Sequence, residues 1–464
     1  MRRAGVGEQA AGTGVSRASL HRAIRLPHAT ALVVGTIIGA SIFVQPSEVT
    51  SQVHSVGGVL LVWLLAGLLT LIGSLVCAEL ASAFTRTGGV YVYLSEAFHP
   101  ALGFLWGWAM LLTMHSGIIA AIATVFARYT GTFIELGVWE SRAVAIGVIV
   151  VLSAINYLGV QHGSRLQTFF TGGKLLAVVA IVGLGFGLGG RVPEHFVGST
   201  APGGGSLGGF AAAMVAGLFA YGGWHMVTYS SEETVEPART IPRALLIGTL
   251  VVTAAYMAMT AVYMYVMPLD TVAASTKVAA DLADTLLGSG GAGAMSAVVM
   301  FSTFGGLAGI ILAGPRVYYA MAKDGLLFPW FGEVHPRYAT PHRAIILQAV
   351  WASLLVATGT FRALFTRVVY TEWIFFGLMS IGLMLLRRRP EVRRQYSIPG
   401  YPITPLLFVL SSFAIVLATI VANPRDSAIG LGLVLLGLPV FFAWRVTRGA
   451  SHRPGGRLPS SHER

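Results

Sequence analysis

Only 11% of the 464 residues are charged, less than half of the roughly 25% with which a soluble chain solvates its surface. Cysteine is nearly missing. The single Cys77 excludes an internal disulfide, and its place inside an apolar run speaks against a thiolate metal site. Acidic residues are scarce as well, 19 against 31 Lys and Arg, for a net charge of +12. In a soluble chain that excess would point to nucleic acid; here the basic residues fall in loops between apolar runs, where they set membrane topology. No His-x-x-x-His pair, His/Cys cluster or phosphate-cradling loop is present. A metal-dependent membrane enzyme and an ATP-driven pump therefore find no support, and no cofactor or metal is expected.

What is abundant is apolar: 55% of the residues are hydrophobic and the mean hydropathy is +0.73. A helical crossing of the hydrocarbon takes roughly 20 residues. Apolar segments of that length fall at about 28–50, 57–84, 101–128, 142–160, 164–189, 207–229, 243–267, 292–322, 342–359, 364–386, 402–422 and 427–446, which predicts an all-α protein of twelve transmembrane helices. The first 26 residues are rich in Arg, Gly and Ala without an apolar stretch, so they read as a tail and not as a signal peptide. With that tail in the cytoplasm the great majority of Lys and Arg lie inside, including Arg387, Arg388, Arg389, Arg393 and Arg394 after the tenth helix. The positive-inside rule thus predicts a multi-pass protein of the plasma (inner) membrane with both termini cytoplasmic.

Two segments do not read as uniform helix. The first holds Gly35-Thr36-Ile37-Ile38-Gly39-Ala40-Ser41-Ile42-Phe43, and the sixth holds Phe219-Ala220-Tyr221-Gly222-Gly223-Trp224. Gly weakens a helix interior by about 1 kcal/mol and takes backbone angles other residues avoid. Close small-xxx-small packing is the plain alternative for such stretches, and it suffices for Gly172-Gly173 and Gly185 to Gly190. The position of the other two argues for more. They lie five crossings apart, an odd number, so a second five-helix copy would run inverted, and matched breaks in inverted halves point to a transporter's midplane site. An unwound stretch bares amides at one half-helix start and carbonyls at another's end, which persist in lipid only where they line a cavity or meet a ligand. A zwitterion answers both, carboxylate to amides and ammonium to carbonyls.

These and further motifs resemble the amino acid/polyamine/organocation (APC) superfamily, closest to its L-type amino acid transporter branch. The Gly35 to Phe43 run is similar to the family's G-T-I-I-G-S-G-I-F, departing at Ala40-Ser41. Cys77-Ala78-Glu79-Leu80 with Thr87-Gly88-Gly89-Val90-Tyr91-Val92-Tyr93 resembles its A-E-L and S-G-G-x-Y-x-Y stretch. Lys174 in Gly173-Lys174-Leu175-Leu176 looks like its helix 5 lysine, and Phe219 to Trp224, Glu232-Glu233 and Ile241-Pro242-Arg243-Ala244 follow its helix 6 and exit. Pro315-Arg316-Val317-Tyr318-Tyr319, Asp324-Gly325 and Thr340-Pro341 resemble the run after helix 8.

The resemblance implies a LeuT-type fold: a tail over 1–26, a first inverted repeat of helices 1–5 over 27–189, a second of helices 6–10 over 207–386, peripheral helices 11 and 12 over 401–447, and a cytoplasmic tail over 448–464. It implies sodium-independent secondary transport of L-amino acids by alternating access, as exchange or proton-coupled uptake. Carried onto this chain, the substrate site comprises Thr36, Ile37, Ile38, Gly39, Ala40, Ser41, Ser116, Phe219, Ala220, Tyr221, Gly222, Gly306 and Trp373. The carboxylate falls to Gly39, Ala40 and Ser41, the ammonium to carbonyls of Ile37, Phe219, Ala220 and Gly222. Phe219 is the outer lid. Lys174 takes the place of a sodium ion in sodium-driven relatives and is the coupling residue, expected to bond to helix 1 carbonyls. Position 222 is Gly where cationic-substrate members tend to carry Asp, which favours neutral substrates; Glu372, placed to face an outer vestibule, is the feature that favours a cationic amino acid or polyamine instead. A non-transporting sensor on the same frame is the further alternative.

Glu79, Glu232 and Glu233 are gating candidates, with Arg239 and Arg243 near in sequence, as partly exposed ion pairs worth about 0–1 kcal/mol each. His115 and His225 read as packing residues. Eukaryotic branch members pair with a glycoprotein through a Cys between helices 3 and 4; residues 129–141 have none, so no disulfide-linked heavy chain is expected. Partners are then a small-molecule substrate and the lipid bilayer, with no nucleic acid.

Overall fold

A computed structural model describes residues 22–158, 160–189, 207–288, 290–359 and 361–451. Gly203 to Gly205 and most of both terminal tails lie outside them. The described residues are almost wholly helical and contain no strand, only an isolated bridge from Ile24 to Thr234. Among the described residues ten helical spans are long and apolar enough to cross a membrane, and two shorter apolar helices, His342–Thr358 and Tyr370–Leu386, accompany them.

In chain order the helices are α1 Leu26–Ile37, α2 Gln45–Thr50, α3 Val56–Ala83, α4 Val90–Ala97, α5 Pro100–Ala109, α6 His115–Thr130, α7 Val138–Tyr157 and α8 Val160–Leu188. After them come α9 Leu207–Ala220, α10 Pro237–Val266, α11 Leu269–Ala274, α12 Val278–Leu287, α13 Gly291–Lys323, α14 His342–Thr358, α15 Phe361–Leu386, α16 Ile403–Ala422, α17 Pro424–Leu435 and α18 Gly437–Ser451. Sequence explains several boundaries. Pro27 and Pro46 sit in the first turns of α1 and α2, where a missing N–H costs nothing. Ser55 caps α3 by accepting from the Gly58 amide at 3.2 Å.

The layering follows from which helices face lipid. α16 and α7 expose rows of large apolar side chains, Leu406, Leu410, Leu417 and Val421 on the first and Val138, Val150 and Val151 on the second, as expected where lipid is the solvent. α1 and α13 are buried along most of their length. α1 is enclosed by α8, α10 and α13, and α9 lies against α3, α2, α15 and α16. The two segments with irregular sequence are therefore innermost.

Candidate functional site

Both irregular segments are broken. α1 stops at Ile37, and Ile38 leaves the helix with φ −75° and ψ 83°; a 3-10 turn, Ser41–Phe43, resumes the path before α2. Thr36 initiates this exit. Its hydroxyl bonds back to Leu32 O at 2.7 Å and Val33 O at 3.1 Å, competing with the helical ladder. In the sixth segment α9 ends at Ala220, and a 3-10 helix, Trp224–Glu233, continues beyond the glycines. Gly223 has φ +98°, and a Cβ there would lie 3.1 Å from Thr36 O. Only glycine meets both demands.

The bared backbone groups are mostly taken up within the protein. Thr36 Oγ1 also lies 3.2 Å from Gly223 O, so the two breaks touch there, although its single proton is nearest Leu32 O. Lys174 Nζ, fully buried on α8, donates to Gly35 O at 3.0 Å. The Tyr256 hydroxyl on α10 lies 3.0 Å from Ile37 O and 2.8 Å from Ala220 O, bridging the carbonyl ends of both half-helices. Ser302 Oγ donates to Gly39 O at 3.0 Å. Phe219 O accepts from Gly222 N at 2.9 Å. Gly306 lets α13 close on this knot, since a Cβ there would sit 3.0 Å from Gly39 Cα and 3.3 Å from Lys174 Nζ.

Between the breaks lies a small cavity of about 10 Å³ lined by Thr36, Ile37, Ser41, Ile118, Ile122, Phe219, Gly222, Gly223, Met226 and Ile310. Five of the sequence-derived substrate residues meet here: Thr36, Ile37, Ser41, Phe219 and Gly222. Ile38, Gly39, Ala40 and Ala220 belong to the break backbone beside it. Ser116 is buried two residues before Ile118 with a hydroxyl that has no partner among the described residues, and Gly306 touches the break from behind. The remaining two candidates turn elsewhere. Tyr221 turns its ring toward Trp63 and Tyr256, at 6.2 and 5.0 Å, and donates to Trp63 O. Trp373 packs on Phe408 and Phe376 at 5.5 and 6.1 Å. Neither lines the cavity. Glu372 is buried in α15 away from the cavity wall, not in an open vestibule.

The acidic candidates also find other partners than expected. Glu79, 1% exposed, accepts from Arg387 Nε and Nη2 at 2.7 and 2.6 Å and from Ile398 N at 2.7 Å, with Arg394 at 3.4 Å. Glu233 and Arg316 form a two-pronged pair at 2.9 and 3.2 Å with both side chains under 5% exposed. Glu233–Arg316 is thus a buried pair, and breaking such a pair from one side costs about 3–5 kcal/mol, whereas the buried Glu79 carboxylate is met by partly exposed arginines; neither acid pairs with neighbouring Arg239 or Arg243. Glu232 is exposed and accepts from the Thr87 amide at 3.1 Å. His115 bonds Ile310 O at 2.7 Å, and His225 sits among Trp106, Tyr229 and Phe376. Among the described residues no His/Cys/Asp/Glu group is arranged to hold a metal ion.

Sequence reasoning missed Tyr256, Ser302, Ile118, Ile122, Met226 and Ile310. All stand on unbroken helix or, for Met226, just past the glycines. The one available signal was a tyrosine inside an apolar span, whose hydroxyl needs a partner.

A family profile described as amino acid permease matches residues 24–441. The chain is 31% identical to the serine/threonine exchanger SteT of Bacillus subtilis (strain 168) over 431 residues, 92% of this chain and 97% of that protein. It is 32% identical to the human b(0,+)-type amino acid transporter 1, covering 91% and 88% of the two chains. To the human large neutral amino acids transporter small subunit 2 it is 31% identical, covering 93% and 82%. With a buried knot of two broken helices inside a multi-span apolar bundle, the chain belongs to the amino acid permease family of the APC superfamily: it is an integral membrane amino acid transporter and not an enzyme.

Proposed function

We propose that this permease carries neutral L-amino acids by alternating access, without sodium, binding them between the breaks of the first and sixth spans. The observation that carries this reading is the face-to-face arrangement of the two breaks, joined through Thr36 and Tyr256. A substrate carboxylate is assigned to the amides at Gly39, Ala40 and Ser41, of which that of Gly39 now donates to Ile37 O at 2.8 Å, and to the Ser41 hydroxyl on the cavity wall. The ammonium is assigned to carbonyls of Ile37, Phe219, Ala220 and Gly222. Ala220 O, facing Tyr256 alone, keeps a lone pair for the ammonium, whereas Ile37 O already accepts from Gly39 N at 2.8 Å beside Tyr256 at 3.0 Å and becomes available only when Gly39 turns away. No carboxylate is among the cavity-lining residues, which supports neutral over cationic substrates.

About 10 Å³ holds on the order of one water, so the present arrangement is closed. Admission requires Ile118 and Ile122 on α6 and Ile310 on α13 to part from Phe219 and Met226. The pairs Glu79–Arg387 and Glu233–Arg316, with Glu232, are assigned to the inner gate and Phe219 to the outer lid. Lys174 donates to Gly35 O, in the place a sodium ion takes in sodium-driven relatives, and is assigned as the coupling residue. The name of one relative, the serine/threonine exchanger SteT, favours exchange. The frame that goes with this reading has twelve spans, inverted repeats over 27–189 and 207–386 and peripheral helices over 401–447. It stands in the plasma membrane with cytoplasmic termini and no disulfide-linked heavy chain. Counterflow of labelled serine, threonine, alanine, leucine and lysine into proteoliposomes, at two pH values and with sodium removed, tests it. Neutral amino acids are expected to exchange regardless of sodium; preferred lysine uptake, or strict sodium dependence, overturns the proposal.

A further inference from the structure

Beside the first two turns of α10 opens a cavity of about 480 Å³ lined by Ala238, Arg239, Pro242, Arg243, Gln395 and Tyr396. It is far larger than the hollow between the breaks, and it lies at the polar end of an otherwise apolar 30-residue helix. Both arginines are exposed, and among the described residues neither makes an ion pair. Glu236, three residues before Arg239, does not pair with it, and the Glu79 carboxylate near Tyr396 is committed to Arg387, Arg394 and Ile398 N. Burial and the Glu79 carboxylate raise the pKa of Tyr396, keeping its phenol a hydrogen-bond donor.

Arg239 and Arg243 are four residues apart and share a helix face. The same face continues through Leu246, Ile247 and Leu250, each a large apolar side chain 39–49% exposed. From Arg243 to Leu250 is about 10 Å along the axis. Two unpaired guanidinium groups over a cavity, followed directly by a lipid-facing apolar stripe, match the order of groups in a phospholipid: anionic headgroup, then acyl chain. An arginine serving only to fix topology needs charge but no cavity and no second wall.

We propose that this cavity binds the phosphate headgroup of an anionic phospholipid, with the chains lying along Leu246, Ile247 and Leu250. The site is independent of the substrate assignment and stands or falls separately from it. The test is native mass spectrometry of the full chain from micelles doped with equal amounts of phosphatidylglycerol and phosphatidylcholine. Wild type is expected to retain phosphatidylglycerol preferentially, and Arg239→Ala and Arg243→Ala each to reduce that preference about fivefold. Arg239→Lys/Arg243→Lys, keeping the charge, should keep most of it. Arg337→Ala, removing an exposed arginine elsewhere, should change nothing. Equal retention by wild type and R239A/R243A overturns the proposal, as does an equal loss in R337A, which would mark diffuse attraction. Displacement of the lipid by millimolar inorganic phosphate would instead make this a site for free phosphate and also overturn it. A thermal unfolding scan of each variant separates lost lipid from lost fold.

Discussion

At the residue scale, Lys174, Tyr256 and Gly223 meet the demands of bared backbone at the two breaks. Lys174 brings a cation to Gly35 O where the hydrocarbon would otherwise leave it costly. Lys174→Ala should reduce exchange at least about tenfold, the effect of losing a charged hydrogen bond worth about 1.5–3 kcal/mol, while the protein still purifies as a folded species; unchanged flux would remove the lysine from the mechanism. Tyr256 has one hydroxyl proton shared between two carbonyls, the shorter contact being to Ala220 O. Tyr256→Phe keeps the ring and its packing on Trp63 and Tyr221 but leaves two acceptors less satisfied. Substrate affinity in a binding assay is expected to shift more than thermal stability, because the loss falls at the ammonium subsite. Gly223→Ala forces a Cβ toward Thr36 O at a positive φ. About 1–3 kcal/mol of destabilisation follows, read as a lower unfolding temperature in detergent.

At the scale of elements, the ion pairs behave as fasteners between helices. Glu233 ends the 3-10 segment of the sixth span and Arg316 lies within α13, so this pair fixes one broken span to an unbroken one. Glu79 does the same for α3 and the end of α15. A double-mutant cycle on the first pair separates fastening from simple stability. Glu233→Gln and Arg316→Met should each destabilise by about 3–5 kcal/mol, and the double variant by less than either, since it leaves no uncompensated buried charge. Additive losses in chemical denaturation would show that the two side chains do not act as a pair. The sequence made the residues conspicuous as charges near helix ends; it did not say which charges met, because partners 83 and 308 positions apart are joined only by the fold.

At the scale of the whole molecule, the closed cavity and the buried pairs describe one conformation of a transporter that needs others. Ile122 is on the wall that must move. In a Cys77→Ser background, which removes the one buried thiol, Ile122→Cys should react slowly with a membrane-impermeant maleimide and change its rate when a transported amino acid is added. Identical rates with and without substrate would mean that the wall does not open.

Composition, charge asymmetry and the two glycine-bearing segments were sufficient to derive a multi-span membrane protein with helix breaks in its first and sixth spans, because apolar length and glycine are local properties. The same local signals placed Thr36, Ser41, Phe219 and Gly222 beside one another once the breaks were aligned. Where Tyr221 and Trp373 point was beyond them, since an aromatic ring in an apolar span is welcome on every side and only neighbouring rings choose its direction. The pairing of Glu79 with Arg387 and of Glu233 with Arg316, and the reach of Tyr256 from α10 to both carbonyl ends, were decided by tertiary structure alone. Hydrogen bonds and ion pairs act over about 3 Å, and sequence distance carries no information at that range.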